Sequence, residues 1–139
     1  MLLNGVDINQ SSDATRRTPL ISAILNSREE MVIHLINKGA DVNSRIIYPT
    51  PLQLACEFGN LNIIKSLILY GANIDIADNF NETPIFYALR NAVNHSSDKF
   101  YDILKFLIEI GVDIFRVNNR NRNLLHYASK CPGKFLRVI

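Results

Sequence analysis

The chain has 139 residues, of which 47% are hydrophobic and 20% are charged, and its formal net charge is +2. This composition is typical of a folded domain, because disordered segments combine few apolar residues with a high net charge. Two cysteines exclude a disulfide framework and a zinc site built from several cysteines. No apolar run approaches the length of a membrane span and no signal-peptide pattern opens the sequence. We therefore expect an intracellular protein of the cytoplasm, with the nucleus as the alternative compartment.

Three short motifs recur along the chain and keep the same order. Thr-Pro followed by an apolar residue begins at Thr18, Thr50 and Thr83, at spacings of 32 and 33 residues. A glycine followed by a small residue and then Asp or Asn begins at Gly5, Gly39, Gly71 and Gly111. An alanine lies five residues after each threonine, at Ala23, Ala55 and Ala88, and Ala128 takes that place in the last unit. Motifs that stay in phase indicate a repeat architecture.

Each motif has a structural role in a unit of two helices. The threonine hydroxyl is suited to cap a helix that begins with the following proline. The alanine allows a neighbouring helix to approach closely. The glycine falls just after a second apolar helix pattern, where a left-handed C-cap is needed. The unit is therefore predicted to be helix, turn, helix and a polar loop, and one unit is stable only when it stacks on others.

The Thr-Pro-Leu and Gly-Ala-Asp-Val-Asn motifs and the 33-residue period resemble those of the ankyrin repeat family over essentially the whole chain. The resemblance implies an all-α ankyrin-repeat solenoid of stacked helix-turn-helix units with protruding loops and β-hairpin turns. The predicted units are a partial repeat over 1–12, repeats over 13–45, 46–77 and 78–117, and a partial repeat over 118–139.

The sequence departs from the family pattern at an insertion, at four glycine positions and at both ends. An insertion is predicted near 92–101, and we expect its polar residues 92–99 to form a protruding loop between two helices. Positions that often hold glycine in the family are occupied by Arg16, Ser27, Asn81 and Asn121, of which the asparagines tolerate left-handed backbone well. Neither end has the polar cap typical of solenoids. We therefore expect a piece of a longer array or a shortened chain, with apolar end faces that promote self-association.

The residues that could support catalysis or metal binding form no recognisable site in the sequence. Cys56 lies on a predicted first helix and is better explained as a core residue than as a nucleophile. Cys131 has no histidine in phase with it, and the histidines His34, His95 and His126 are not at metal-ligand spacing. We expect His126 to hydrogen-bond a neighbouring loop. The sequence therefore predicts no enzyme, no catalytic residue, no metal and no cofactor.

Charge is distributed unevenly along the chain. Residues 1–77 have a net charge of −1 and residues 78–139 a net charge of +3, and residues 116–139 include six basic residues and no acidic one. Such a patch suits either phosphates or an acidic protein. Few aromatic residues are interleaved with it, and the short helices of the unit do not read nucleic-acid grooves. We therefore favour a protein partner over nucleic acid, and we expect no membrane association.

In ankyrin-repeat proteins, the loop tips before Thr-Pro and the exposed end of each first helix line a concave surface. Carried to the matching positions, the predicted partner-binding residues are Arg17, Ile46, Ile47, Tyr48, Glu57, Phe58, Asn79, Phe80, Glu82, Arg90, Asn119, Arg120 and Arg122. Aromatic and arginine side chains are frequent interface anchors. The predicted partner is a protein segment with apolar anchors and acidic flanks. The alternative for Phe58 and Phe80 is that they pack only on their own neighbours.

The resemblance implies a non-catalytic module for protein–protein interaction. We expect an adaptor or inhibitor that occupies a host or cellular partner, as ankyrin proteins of viruses and intracellular parasites do. The alternative is a structural segment of a longer ankyrin array with no partner of its own. Asn43 lies in a context that resembles the one in which ankyrin-repeat asparagines are hydroxylated, and the alternative for it is an ordinary loop-capping role.

Overall fold

The computed structural model describes residues 2–3, 5–12, 14–45, 49–95, 97–130 and 133. Two short antiparallel strands, β1 (Leu2–Leu3) and β2 (Val6–Asp7), form a hairpin. The helices of the described residues are α1 (Pro19–Leu25), α2 (Glu29–Asn37), α3 (Pro51–Phe58), α4 (Leu61–Leu69), α5 (Pro84–Asn94), α6 (Asp98–Glu109) and α7 (Leu124–Ala128). The predicted all-α solenoid of helix-turn-helix units is confirmed.

The helices pack in two rows. The first helices of the units, α1, α3, α5 and α7, stack on one another in chain order, and α2, α4 and α6 form the second row. Each second helix also packs against the first helix of its own unit. The alanines predicted to permit close approach, Ala23, Ala55, Ala88 and Ala128, are buried between these helices. The apolar core therefore runs through all the units, and each unit stabilises its neighbours.

The first helices begin as predicted, with one exception. Thr18 and Thr50 each accept a hydrogen bond through Oγ1 from the backbone N–H three residues on, at 3.2 and 3.4 Å. The Thr83 side chain makes no such bond. The N–H of Phe86 donates instead to the Thr83 carbonyl oxygen at 3.0 Å. The predicted hydroxyl cap is therefore wrong for α5, because the backbone carbonyl satisfies the donor that the hydroxyl would have bound.

Helix α7 begins with a different cap. Oδ1 of Asn123 accepts hydrogen bonds from the N–H groups of Leu125 at 3.0 Å and His126 at 3.3 Å. Nδ1 of His126 accepts the Asn123 N–H at 3.1 Å, which completes a capping box. The prediction that His126 bonds a neighbouring loop is wrong, because its ring turns back onto the first turn of its own helix.

Left-handed backbone occurs at the predicted positions whether or not they hold glycine. Gly39, Gly71 and Gly111, just after the second helices, have φ values of 96°, 95° and 94°. Arg16, Ser27, Asn81 and Asn121 have φ values of 51°, 51°, 59° and 57°. Asparagine adopts this conformation more readily than arginine or serine. Arg16 and Ser27 therefore carry the greater steric strain.

The predicted polar loop over 92–99 is not observed, because most of the insertion is helical. Helix α5 continues to Asn94 and α6 begins at Asp98, so only residues 95–97 join them. Ala92 is buried in the core. The insertion lengthens both helices because apolar residues within it find partners when the two helices pair.

The lengthened helices pack back onto the preceding unit. Nζ of Lys99 donates a hydrogen bond to the carbonyl oxygen of Phe58, the last residue of α3, at 3.2 Å. Gly59 follows with a φ of 77°, and a Cβ atom there would lie 2.7 Å from Cε of Lys99 and 2.9 Å from the ring of Phe100. Glycine is therefore required at position 59 both by the left-handed backbone and by the close approach of α6.

The loops of successive units are joined in two different ways. Asn9 and Asn43 each donate from Nδ2 to a glycine carbonyl oxygen of the next unit, at 3.3 and 3.0 Å. Each also accepts through Oδ1 the N–H two residues after that glycine, at 2.7 Å. Asp75 takes the same position one unit later, and a carboxylate has no N–H to donate. There Arg116 forms the link, with hydrogen bonds to the carbonyl oxygen of Asp75 at 3.4 Å and to Oδ1 of Asn81 at 2.7 Å.

Candidate functional site

Two clefts open between the loops that precede the first helices. The N-terminal cleft lies between α1 and α3 and has a volume of about 320 Å³. Its lining residues are Thr15, Arg16, Arg17, Thr18, Ile21, Leu25, Ser44, Pro49 and Leu54. Aliphatic side chains of both helices and a proline face the space, so its walls are mainly apolar.

The C-terminal cleft lies between α5 and α7 and has a volume of about 280 Å³. Its lining residues are Phe80, Glu82, Arg90, Asn118, Asn119, Arg120 and Tyr127. Five of these seven residues have charged or amide side chains, and Phe80 remains 66% exposed at the loop tip. This cleft therefore combines an accessible aromatic ring with two arginine side chains.

An ion pair forms part of the wall of the C-terminal cleft. Oε2 of Glu82 pairs with Nη1 of Arg90, and Oε1 of Glu82 accepts a hydrogen bond from Nδ2 of Asn118 at 3.0 Å. The Arg90 guanidinium lies over the ring of Tyr87, 4.5 Å from its centroid. The Glu82 side chain is 9% exposed and that of Arg90 is 38% exposed. Both oxygens of the carboxylate are therefore held by protein groups, while part of the guanidinium faces solvent.

Two corresponding polar residues shape the loops on either side of this cleft. Oδ1 of Asp78 accepts the N–H groups two and four residues on at 2.8 and 2.9 Å, and Oδ1 of Asn118 does the same at 3.0 and 3.1 Å. The hydroxyl of Tyr87 donates to Oδ2 of Asp78 at 2.8 Å. Burial, and then this hydrogen bond, raise the pKa of Tyr87 above its usual value. The N–H of Asn119 donates to the Phe80 carbonyl oxygen at 2.9 Å, which joins the two loop tips.

The structure brings together some of the predicted partner-binding residues and separates others. Those that line the C-terminal cleft are Phe80, Glu82, Arg90, Asn119 and Arg120, and Arg17 lines the N-terminal cleft. Predicted residues that are not among the described lining of either cleft are Glu57, Phe58, Asn79 and Arg122. Phe58 is nevertheless 45% exposed at the end of α3. Ile46, Ile47 and Tyr48 lie outside the residues that the structure describes.

Glu82 differs most from its expected placement. The sequence places it on an exposed loop tip, whereas the residue is only 7% exposed. Its carboxylate turns inward because Arg90 and Asn118 supply donors to both oxygens. Phe80, two residues earlier, is exposed at this tip, as is Asn79. Glu82 therefore organises the cleft and is not an accessible contact residue.

Sequence reasoning missed Asn118 and Tyr127 in the C-terminal cleft. A signal for them exists, because Asp78 and Tyr87 are nine residues apart, as are Asn118 and Tyr127 in the next unit. A polar residue and a tyrosine that recur at the same spacing indicate a shared hydrogen-bonding role. Leu54 in the N-terminal cleft has no comparable signal, since an apolar residue on a helix is indistinguishable from core before the units are stacked.

The remaining candidate residues were also placed by the structure. Cys56 is buried in α3, and burial raises the pKa of its thiol, as expected for a core residue rather than a nucleophile. Asn43 is half-buried and uses both ends of its amide to bond the next unit, and its modification stays a prediction. The described part of the chain contains no cluster of three or more His, Cys, Asp or Glu residues that could hold a metal ion. None of the helices in that part is long and apolar enough to cross a membrane.

Residues 47–114 match the family model described as ankyrin repeats (3 copies), and residues 15–46 match the ankyrin repeat model. The chain is 31% identical over 120 residues to the Homo sapiens ankyrin repeat and SOCS box protein 6, covering 82% of this chain and 28% of that protein. It is 29% identical over 134 residues to an ankyrin repeat protein of Fowlpox virus (strain NVSL), covering 94% and 39%. It is 27% identical over 134 residues to alpha-latrocrustotoxin-Lt1a of Latrodectus tredecimguttatus, covering 96% and 9%.

Stacked helix pairs, left-handed glycines after the second helices and hydrogen-bonded loops define a helical repeat solenoid. With the two matches, which together extend from residue 15 to residue 114, the chain belongs to the ankyrin repeat family. Ankyrin repeats are modules for protein–protein interaction, and the family is generally non-catalytic. The chain spans at most 39% of the length of the three relatives described above.

Proposed function

We propose that this chain is a non-catalytic module that binds a partner protein on its concave face, formed by the first helices and the loops before them. The observation that carries the proposal is the pair of clefts, both of which open between these loops. Volumes of about 320 and 280 Å³ are sufficient for individual side chains of a partner segment. Phe80 adds an aromatic side chain that is 66% exposed, of the type often found at interface hot spots.

The chemistry of the two clefts supports a partner with apolar anchors and acidic flanks. The N-terminal cleft presents Ile21, Leu25 and Leu54, and so favours an apolar side chain. The C-terminal cleft presents Arg90 and Arg120, and the described residues 114–130 include no acidic residue. An acidic flank would therefore meet a complementary charge, which steers association and suppresses wrong partners.

The proposed mode of action is occupation of the partner, as an adaptor or an inhibitor. The Cys56 thiol is buried and Nδ1 of His126 takes part in a helix cap, so these residues have structural roles. We propose an intracellular location because ankyrin repeat proteins are commonly intracellular.

An affinity capture experiment tests the proposal. The full chain, immobilised and exposed to cell lysate, is compared with a Phe58→Ala, Phe80→Ala double variant. The matched control is a Leu69→Ala, Tyr70→Ala double variant, which removes side chains that are 80% and 46% exposed at the end of α4, in the second row. We expect a protein that is retained by the wild type and by the control and is lost with the Phe58/Phe80 variant. Cooperative thermal unfolding of all three chains verifies that each is folded.

Two results contradict the proposal. A captured protein that is lost with the Leu69/Tyr70 variant alone would place the interaction on the second row of helices. Recovery of the chain itself and nothing else would instead favour the alternative function, a structural segment of a longer ankyrin array without a partner of its own.

A further inference from the structure

We infer that Arg90 forms a carboxylate-binding site in the C-terminal cleft, which takes an aspartate or glutamate side chain of a partner segment. This inference rests on the proposed function, since it assigns the chemistry of one site on the concave face. In this site Arg90 contacts the ligand, and Glu82 and Tyr87 hold Arg90 in position.

Arg90 is oriented by the protein before a ligand binds. Its Nη1 atom donates to Glu82, and its guanidinium lies over the Tyr87 ring at 4.5 Å. Both supports are themselves fixed: Tyr87 by its bond to Asp78 at 2.8 Å, and Glu82 by its bond to Asn118 at 3.0 Å. A free arginine loses conformational entropy when a ligand immobilises it. Arg90 is already immobilised by Glu82 and Tyr87, so ligand binding costs less entropy here.

The oriented guanidinium keeps donor capacity toward the cleft. Arginine has five N–H donors in a planar fork, and the ion pair with Glu82 uses Nη1. The Arg90 side chain lines the cleft and is 38% exposed. A carboxylate is a planar acceptor with two oxygens, which matches the geometry of this fork.

The charges around Arg90 favour a single carboxylate. Glu82 neutralises one of the two arginines that line the cleft, and Arg120 leaves one positive charge in excess. A nucleic acid depends on several cations that follow its backbone, whereas this cleft presents one oriented guanidinium beside a fixed carboxylate.

An accessible aromatic ring lies on the same cleft. Phe80 lines it together with Arg90, and its backbone is fixed by hydrogen bonds to Asp78 and from Asn119. An apolar side chain next to the ligand carboxylate would be able to pack on this ring. The preferred motif is therefore an acidic residue with an apolar neighbour.

Peptide selection followed by matched affinity measurements tests the inference. Short random peptides displayed on phage are selected on the full chain, and each selected peptide is synthesised with and without Asp→Asn and Glu→Gln replacements. Fluorescence anisotropy then compares the two forms on the wild type, Arg90→Gln, Arg90→Lys and Arg28→Gln. Arg28 is exposed before α2, so Arg28→Gln removes the same charge away from the cleft.

We expect the acidic peptide to bind the wild type and Arg28→Gln about tenfold more tightly than its amide form. The preference should fall to about twofold or less in Arg90→Gln. Arg90→Lys keeps the charge and loses the planar fork, so an intermediate preference is expected. If Arg90→Gln does not fold, Arg90→Lys alone decides: an undiminished preference would contradict the inference.

The other outcomes separate this inference from the proposed function. One such outcome is a peptide that loses affinity in the Phe58→Ala, Phe80→Ala variant and yet keeps it when its acidic residues are replaced and when Arg90 is substituted. That result would overturn the carboxylate site and leave concave-face binding intact. If no selected peptide binds more weakly to the Phe58→Ala, Phe80→Ala variant or to Arg90→Gln than to the wild type, both are wrong.

Discussion

The N-terminal and C-terminal clefts occupy equivalent places between neighbouring units, yet the second is lined by more charged and amide side chains than the first. Leu25 lines the first and Arg90 the second, each seven residues after the residue that precedes its first helix. Leu54 and Tyr127 also correspond, because each lies four residues after the residue that precedes its own first helix. The repeat backbone therefore places both clefts, while the side chains at equivalent positions make the second more polar than the first.

The two regions also differ in how their loops are held together. In the N-terminal half, Asn9 and Asn43 join successive loops through the same pair of hydrogen bonds. In the C-terminal half, Arg116 and the Glu82 carboxylate add charged links to those made by the Asn81 and Asn119 amides. The N-terminal loops are joined by neutral amides, whereas the C-terminal loops are joined by neutral amides together with charged groups that must be paired.

Removal of the aromatic contact under the C-terminal cleft should have the largest effect on stability. Phe86 is fully buried and meets the Tyr127 ring edge to face at a centroid distance of 6.2 Å. Phe86→Ala is expected to lower the free energy of unfolding by about 3–5 kcal/mol, because it leaves a cavity between α5 and α7. Urea unfolding followed by circular dichroism measures the change. Phe80→Ala, the same substitution at an exposed ring, should change it by less than about 0.5 kcal/mol, and equal effects would contradict the packing described here.

Loss of the buried carboxylate should have a smaller effect, restricted to the C-terminal cleft. Glu82→Ala deprives Arg90 and Asn118 of their shared partner, so we expect a loss of about 2 kcal/mol in the free energy of unfolding. Arg17 precedes the first helix of its unit just as Glu82 does, but it is exposed. Arg17→Ala should therefore stay within about 0.5 kcal/mol of the wild type. If the two variants unfold at the same urea concentration, the ion pair does not stabilise the C-terminal half.

The loop links should give the smallest effects, with opposite signs in the two halves. Asn43→Ala removes two hydrogen bonds between units and is expected to cost about 1 kcal/mol. Asp75→Asn supplies the donor that the equivalent position lacks, and should stabilise the chain by about 0.5 kcal/mol. Paired urea titrations measure both changes. A destabilised Asp75→Asn variant would show that Arg116 has fully replaced the asparagine link.

Much of the fold could be predicted from the sequence because the signals are local. Proline in the first turn, alanine at close contacts and glycine after the second helices each act within a few residues. Left-handed backbone at Arg16 and Ser27 was predictable as well, because the repeat imposes that conformation on whichever residue occupies the position. The absence of a side-chain cap at Thr83 was not predictable. The hydroxyl and the carbonyl oxygen of Thr83 compete for the N–H of Phe86, and only the final geometry decides between them.

The candidate site was only partly predictable. Phe80, Arg90 and Arg120, predicted for a concave surface, line one cleft because the loop-tip and helix-end positions of the repeat face it, and their role in binding stays a prediction. The inward turn of Glu82 depends on Asn118, 36 residues away, which the sequence does not bring near it. The contact of the insertion with α3, made by the Lys99 bond to Phe58, likewise joins residues that are 41 positions apart.

By itself, the sequence determined that this chain folds as stacked helix pairs, since caps, turns and apolar spacing are properties of single units. Only the tertiary structure decided which side chains share a cleft, which carboxylate is buried and where the insertion packs. The physical reason is that the desolvation of a charge and the pairing of its donors depend on groups from different units, which meet only after the units have stacked.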